Sequence, residues 1–155
     1  MAHSTVKVYL HFVWTTKNRE RSLVNKARQR VKDHIIEYAA KNEIGVEAID
    51  VQPEHVHLLV SLLRSQKIED IAKFIKGESS HWINANNLIS DKFAWQTGYW
   101  AGSVSYQHMD AVKKYIERQD EHHKRKSFVE EFEEVLRDYG YSAAEIAEVL
   151  RLESH

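Results

Sequence analysis

Two histidines separated by one residue are the first candidates for chemistry in this chain. His55 and His57 lie in a segment whose apolar residues alternate from Val56 to Leu62. A period of two predicts a β-strand, so the apolar side chains would face the core and both imidazoles would project together from the other face. Neutral imidazole commonly binds divalent metals, although a bare pair of this kind is also common on protein surfaces.

A tyrosine and a glutamine one helical turn apart form the second candidate group. Tyr115 and Gln119 fall beside the apolar stripe of a helix predicted over about 109–123, and side chains four residues apart share a helix face. A phenol can act as a nucleophile, but with a pKa near 10 it needs activation. A tyrosine on an amphipathic helix is more often a packing residue, so this pair gains meaning only beside the histidines. The adjacent His122 and His123 are left out of the metal site, because neighbouring helical residues point apart.

The other segments predict the elements that position these residues. Strands are expected over 6–14, 46–51, 55–62 and 99–106, and helices over about 23–42, 67–86, 109–123, 128–139 and 143–152. In the first helix the residues expected to face inward are Val31, Ile35, Ile36 and Tyr38. The order β-α-β-β-α-β predicts an α+β, ferredoxin-like (split βαβ) antiparallel sheet with helices on one face. The other face is left for a ligand or a further helix.

Two residues of the first strand would share the face of the histidine pair. Because the first and third strands are neighbours in this fold, His11 could contact that pair, either supporting a ligand or touching the substrate. Tyr9 is an alternative nucleophile, but no amide side chain accompanies it.

Composition excludes several kinds of site. The chain has no cysteine, which rules out disulfides, thiolate metal sites and a cysteine nucleophile. It also has no glycine-rich phosphate loop, so no nucleotide cofactor is expected. The first residues do not form a secretory signal, and the longest apolar run, from Val56 to Leu63, is too short to cross a membrane. We therefore expect a cytoplasmic protein without a membrane partner.

Charge divides the chain at about residue 126. Residues 1–126 carry an excess of five positive charges and residues 127–155 an excess of six negative charges. A basic body suits a polyanionic partner, although solvated helix faces explain the charges equally well. We interpret residues 1–126 as the functional domain and residues 127–155 as an acidic helical C-terminal extension.

Four segments resemble the insertion-sequence-200-like transposases, the single-tyrosine branch of the HUH (His-hydrophobic-His) nucleases. They are His55–Val60, Tyr115–Gln119, His11–Arg19 and Phe93–Tyr99. They follow the family's order across residues 6–126, and four motifs together are more specific than any one of them.

The resemblance implies a role for each candidate residue. His55, His57 and Gln119 would bind Mg²⁺ or Mn²⁺, and Tyr115 would attack a phosphodiester to form a 5′-phosphotyrosine. The substrate would be single-stranded DNA at hairpin-bearing mobile-element ends. The protein would be a homodimer in which the tyrosine helix of one subunit completes the metal site of the other.

DNA contacts are expected from basic residues near this site and from exposed aromatic rings. The candidates for binding DNA are His11, Lys17, Arg19, Arg21, Lys113 and Lys114. Trp95, Tyr99 and Trp100 could stack on bases or pack the sheet. Two other functions remain open: a non-catalytic protein that binds single-stranded nucleic acid, and a metal hydrolase that activates water and forms no covalent adduct.

Overall fold

The computed structural model describes residues 4–153, which form four β-strands and six α-helices. The strands are β1 (Val8–Thr15), β2 (Gly45–Val51), β3 (His55–Leu62) and β4 (Trp100–Val104). The helices are α1 (Lys26–Lys41), α2 (Ile68–Ala85), α3 (Met109–Glu117), α4 (Gln119–His122), α5 (Phe128–Asp138) and α6 (Ala143–Glu153). Within residues 4–153, no helix combines the length and apolarity that crossing a bilayer requires.

The four strands form one antiparallel sheet in the order β2-β3-β1-β4. The β2–β3 connection is the predicted hairpin, and β1 lies beside β3 as the fold requires. His55 pairs with Thr15, and His57 lies between Val13 on one side and Asp50 on the other. The α+β, ferredoxin-like fold is therefore confirmed, and its two central strands hold the histidine pair.

One face of the sheet packs on α1 and α2. The alternating apolar residues of β3 that were expected to face the core do so, and Val56 and Val60 are fully buried. They join the inward residues of α1 and α2 in the main core, which includes Val31, Ile35, Ile71, Ile75 and Ile83. Because alternate residues on a strand point to opposite faces, His55 and His57 lie on the side away from these helices.

The second face is covered by helices rather than left open. Ile116 of α3 packs on Leu59 of β3, while α5 packs its apolar stripe on Val13 and Trp100. The end of α5 approaches β4 closely, where the hydroxyl of Tyr139 donates a hydrogen bond to the carbonyl oxygen of Ser103 at 2.8 Å. The face that the sequence left for a ligand or a further helix is thus covered by α3 and α5.

Two expectations about the first helix were wrong in detail. It begins at Lys26, because Asn25 adopts a left-handed φ of 57° that cannot belong to a continuous helix. Ile36 is 40% exposed rather than inward-facing, whereas Val31 and Ile35 are buried. The sequence pattern overestimated the width of the buried stripe by one residue.

The segment around the predicted tyrosine helix also differs. The helix expected over 109–123 is divided at Arg118, whose φ of −102° and ψ of 25° leave the helical range. β4 ends at Val104, and a 3-10 turn at Tyr106–His108 follows it. Tyr106 is therefore 71% exposed instead of lying in the strand.

Candidate active site

His55 and His57 are positioned by the middle of the sheet. Their relative exposures are 0% and 1%, so neither is the surface histidine that a bare pair often represents. Their ring centroids lie 5.1 Å apart with nearly perpendicular planes. Strands on both sides of β3 fix the backbone, which makes the pair rigid.

One nitrogen of each imidazole is held by a neighbouring side chain. His55 Nδ1 lies 2.6 Å from Glu54 Oε1, and Glu54 Oε2 accepts a hydrogen bond from Arg21 at 2.5 Å. His57 Nδ1 lies 2.9 Å from His11 Nε2. These contacts fix both ring orientations and turn both Nε2 atoms toward one space, as second-sphere partners do for metal-binding histidines.

The electrostatics favour neutral imidazole at His57 and His11. Burial lowers the pKa of His57 below its ordinary value, although the nearby Glu131 acts in the opposite direction. Burial and the neighbouring His57 place the pKa of His11 well below its ordinary value. A neutral ring keeps the lone pair that binding to a metal requires.

Tyr115 extends from α3 to the same place. Its ring centroid lies 5.5 Å from that of His57 and 6.3 Å from that of His11. Its hydroxyl donates a hydrogen bond to the carboxylate of Glu131. Burial, together with the charge of Glu131, raises the pKa of Tyr115 well above its ordinary value. The side chain is therefore a phenol and not a phenolate in this environment.

Gln119 begins α4, just after the break at Arg118, and is fully buried. Its Oε1 lies 3.4 Å from His55 Nε2, and its Nε2 donates a hydrogen bond to the carbonyl oxygen of Tyr115 at 3.2 Å. The carbonyl oxygen, which is the atom able to bind a metal, thus faces the histidines. The structure brings together all four residues that the sequence assigned to catalysis and metal binding.

Two residues of this site were missed from the sequence. His123 Nε2 lies 2.9 Å from Gln119 Oε1 and 3.2 Å from His55 Nε2. Glu131 Oε1 lies 3.1 Å from His57 Nε2, and Glu131 Oε2 lies 3.1 Å from His123 Nε2. We call these six residues, His55, His57, Tyr115, Gln119, His123 and Glu131, the site cluster.

The reasons for the two omissions differ. His123 was excluded because it adjoins another helical histidine, although its spacing of four residues from Gln119 places these two side chains on one helix face. Glu131 had a usable signal, because it interrupts the apolar stripe that Phe128, Phe132 and Leu136 form on α5. A carboxylate inside such a stripe indicates a buried polar contact.

The donor atoms of the cluster fit a cation. Ligand atoms of His55, His57 and Glu131 all lie within 4.8 Å of one another. Among the described residues, His57 Nε2 and Glu131 Oε2 are buried atoms without a partner in hydrogen-bond geometry. Burial of a polar atom without a partner lowers the stability of the folded state. A divalent ion would satisfy both.

The predicted DNA-binding residues do not form one patch. Lys17 and Arg19 lie in the 3-10 turn after β1, and Arg21 is tied to Glu54 beside His55. Lys113 on α3 lies 3.5 Å from Glu47 of β2, and Lys114 is exposed next to it. His11 is only 3% exposed and contacts His57, which leaves it little surface for DNA.

A cleft of about 210 Å³ opens beside Tyr115. Side chains from β1, α3 and the end of α5 line it, including His11, Val112, Val135 and Tyr139. A larger cleft of about 460 Å³ lies at α1 and α2 and contains none of the site cluster. The smaller cleft is the one that reaches the tyrosine.

Comparisons with known proteins identify the family of the chain. The family model described as "Transposase IS200 like" matches residues 4–119. The ISDra2 transposase TnpA of Deinococcus radiodurans is 33% identical over 114 residues, which cover 70% of this chain and 81% of that protein. The crystal structure of a candidate transposase from Deinococcus radiodurans R1 matches with a TM-score of 0.62 and 27% identity, covering 77% of this chain and 95% of that one.

A fourth match concerns the fold alone. The structure of a REP-associated tyrosine transposase bound to a REP hairpin gives a TM-score of 0.59 at 21% identity, covering 79% of this chain and 73% of that one. The family match extends over β1 to the first residue of α4 and spans most of the chain. The chain therefore belongs to the IS200-like transposase family.

Proposed function

We propose that this transposase cleaves and rejoins single-stranded DNA at hairpin-bearing mobile-element ends through a 5′-phosphotyrosine on Tyr115. The observation that carries the proposal is the convergence of Tyr115, His55, His57 and Gln119, which come from three separate elements, in one buried cluster. A nucleophile beside a set of neutral metal ligands is the arrangement that phosphodiester transfer needs.

The proposed metal is Mg²⁺ or Mn²⁺, held by His55, His57 and the carbonyl oxygen of Gln119. When bound, such a cation withdraws charge from a non-bridging phosphate oxygen and orients the phosphate for in-line attack. The protein's own part is to orient the Nε2 atoms of both imidazoles, which Glu54 and His11 do through their contacts with the two Nδ1 atoms.

The proposed reaction conserves both bonds and protons. Tyr115 Oη forms a bond to phosphorus while the bond from phosphorus to the 3′ oxygen breaks. The phenol loses its proton, and the departing 3′ oxygen gains one to become a free 3′-OH. Attack by a 3′-OH on the phosphotyrosine reverses the step and joins DNA ends. Because the covalent link retains the energy of the phosphodiester, the reaction needs no nucleotide cofactor.

DNA would approach through the cleft beside Tyr115, and basic side chains outside the cleft would contact its backbone. The proposed phosphate contacts are Lys17, Arg19, Arg21, Lys113 and Lys114. We assign His11 to positioning His57, because its ring is buried against that ligand. We also propose residues 1–126 as the transposase domain, residues 127–155 as an extension and the cytoplasm as the place of action.

Glu54→Gln should weaken Mn²⁺ binding by about tenfold, because a charged acceptor on Nδ1 strengthens an imidazole ligand. Although burial acts to raise it, contacts with His55 and Arg21 hold the pKa of Glu54 below its usual value, so the carboxylate is charged. The affinity can be measured from the electron paramagnetic resonance signal of free Mn²⁺. Glu20→Gln is the matched control, because Glu20 is an exposed glutamate next to Arg21 in the chain. Equal Mn²⁺ affinities of the two variants would mean that Glu54 does not support metal binding.

We further propose a homodimer with active sites shared between subunits. Within one chain Tyr115 contacts His57 of the same chain. If two subunits exchanged their α3 helices, Tyr115 of each subunit would make the same contact with His57 of the other. β4 is an edge strand and carries no Lys, Glu or Pro to prevent pairing with a second copy.

Mixing Tyr115→Phe chains with His57→Ala chains tests the shared site. Heterodimers would contain one intact site, so adduct formation should return to a substantial fraction of the wild-type level. Size-exclusion chromatography with light scattering should first show that a dimer exists and that subunits exchange. A mixture that exchanges subunits but stays inactive would mean that Tyr115 serves its own chain.

A second function, binding single strands without cleavage, is favoured by one observation. The hydroxyl of Tyr115 donates a hydrogen bond to the carboxylate of Glu131, and its pKa is raised. Without DNA and metal the side chain is therefore a weak nucleophile. A labelled single strand incubated with protein and Mn²⁺ separates the alternatives on a denaturing gel. A transferase leaves label on the protein and frees a 3′-OH, a binding protein leaves the strand intact, and a hydrolase releases a free 5′-phosphate without an adduct.

A further inference from the structure

We propose that Glu131 of α5 is an anionic ligand of the divalent cation, so that the C-terminal extension completes the metal site. This inference rests on the proposed metal-dependent function and deepens it. The family match ends at residue 119, before α5 begins. Glu131 therefore lies outside the part of the chain that the family model matches.

The burial of Glu131 is the first argument. The residue is 4% exposed and lies among the aromatic and aliphatic side chains that dock α5 on the sheet. Among the described residues, no Lys or Arg forms an ion pair with it, and its contacts are Tyr115, His57 and His123. A buried carboxylate without a full positive charge nearby is unfavourable. A divalent cation would supply that charge.

The orientation of its oxygens is the second argument. Glu131 Oε1 approaches His57 Nε2 at 3.1 Å, and Oε2 lies 3.1 Å from His123 Nε2 without a partner in hydrogen-bond geometry. Ligands that share one small cation lie about 3 Å apart, since each is about 2.1 Å from the ion. Glu131 thus stands where a neighbouring ligand of His57 would stand.

The chemistry of the donor set is the third argument. His55, His57 and Gln119 offer only neutral atoms, whereas Mg²⁺ and Mn²⁺ prefer oxygen donors that include carboxylates. Two imidazoles and one carboxylate form a known ligand set for a divalent metal, the facial triad that binds Fe²⁺. The same carboxylate accepts the hydrogen bond of Tyr115, so the proposed ligand links the cation site directly to the nucleophile.

Mn²⁺ binding by the full chain without DNA tests the proposal. Glu131→Gln should weaken Mn²⁺ binding by at least about tenfold, measured by isothermal titration and by the paramagnetic resonance of free Mn²⁺. Glu134→Gln is the matched control, because Glu134 lies on the exposed side of the same helix. Its affinity should stay within about twofold of wild type.

A second variant distinguishes loss of a metal ligand from loss of the packing of α5. Glu131→Leu should keep α5 docked, since an apolar side chain extends the stripe of Phe128, Phe132 and Leu136. This variant should be as heat-stable as wild type and should still bind Mn²⁺ at least about tenfold more weakly.

Protection from trypsin supplies a readout independent of affinity. If the cation holds Glu131, Mn²⁺ should slow cleavage after Arg137, an exposed residue of the same helix. The slowing should be absent in Glu131→Gln and in Glu131→Leu.

The outcomes separate this inference from the proposed function. Wild-type Mn²⁺ affinity in both Glu131 variants, together with loss of binding in His57→Ala, would overturn the role of Glu131 and leave the histidine site standing. Unchanged binding in His57→Ala would overturn the metal site itself. The tyrosine reaction is tested separately by formation of the DNA adduct.

Discussion

Tyr115→Phe should abolish the covalent protein–DNA adduct, with a loss greater than about 10³-fold, because the variant lacks the attacking oxygen. The phenyl ring keeps its packing on His57 and His11, and the variant loses the hydrogen bond to Glu131. That loss should cost about 1 kcal/mol of folding stability. The adduct is measured on a denaturing gel, and binding of the same oligonucleotide should stay within a few-fold of wild type.

Tyr9→Phe is the matched control for this experiment. Tyr9 lies on the same side of the sheet and belongs to the small apolar cluster that Tyr115 joins. Its removal should leave the adduct yield unchanged, since no amide ligand accompanies it. A normal adduct from Tyr115→Phe with none from Tyr9→Phe would move the nucleophile to Tyr9.

His57→Ala and His55→Ala should each reduce cleavage by at least about 100-fold, because each removes one of few metal ligands. Both side chains are fully buried, so each truncation also leaves a cavity and should cost about 2–4 kcal/mol of stability. Cleavage must therefore be compared below the melting temperature of each variant. Affinity for single-stranded DNA should be mostly retained, since basic side chains and stacking supply it.

His81→Ala is the control for the two ligand variants, since His81 is exposed on α2, the helix that packs on the other face of the sheet. It should cleave at the wild-type rate. Chelation of the metal should reproduce the defect of the ligand variants in the wild-type protein. Equal cleavage by the wild-type protein in chelator and in Mn²⁺ would contradict a metal-dependent mechanism.

The sheet was largely predictable because its physical signal is local. β3 has the predicted bounds, since strict alternation leaves only one register in which both faces are satisfied. The adjacency of β1 and β3 follows from the order of elements. It predicts that His11 lies near His57, as it does. Strand alternation, the order of elements and the resemblance to the family together predicted one site formed by Tyr115, His55, His57 and Gln119.

The remaining features depend on tertiary contacts that no local pattern reports. The break at Arg118 has no proline or glycine to indicate it in the sequence, yet it divides the predicted helix between Tyr115 and Gln119. The docking of α5 on the sheet depends on the conformation of the short connection between α4 and α5. For that reason the sequence predicted two acidic tail helices but not that one of them places Glu131 in the site.

The most direct test of the account is to identify the amino acid that carries the DNA. After reaction with single-stranded DNA and Mn²⁺, nuclease and trypsin should leave a nucleotide on the peptide that follows Lys114 and ends at Arg118. That peptide, Tyr-Ile-Glu-Arg, contains Tyr115 as its sole hydroxyl side chain, so mass spectrometry assigns the link without ambiguity. The phosphonucleotide is expected on this peptide; its presence on another tyrosine peptide, or cleaved DNA with no modified peptide, would contradict the role of Tyr115 as the nucleophile.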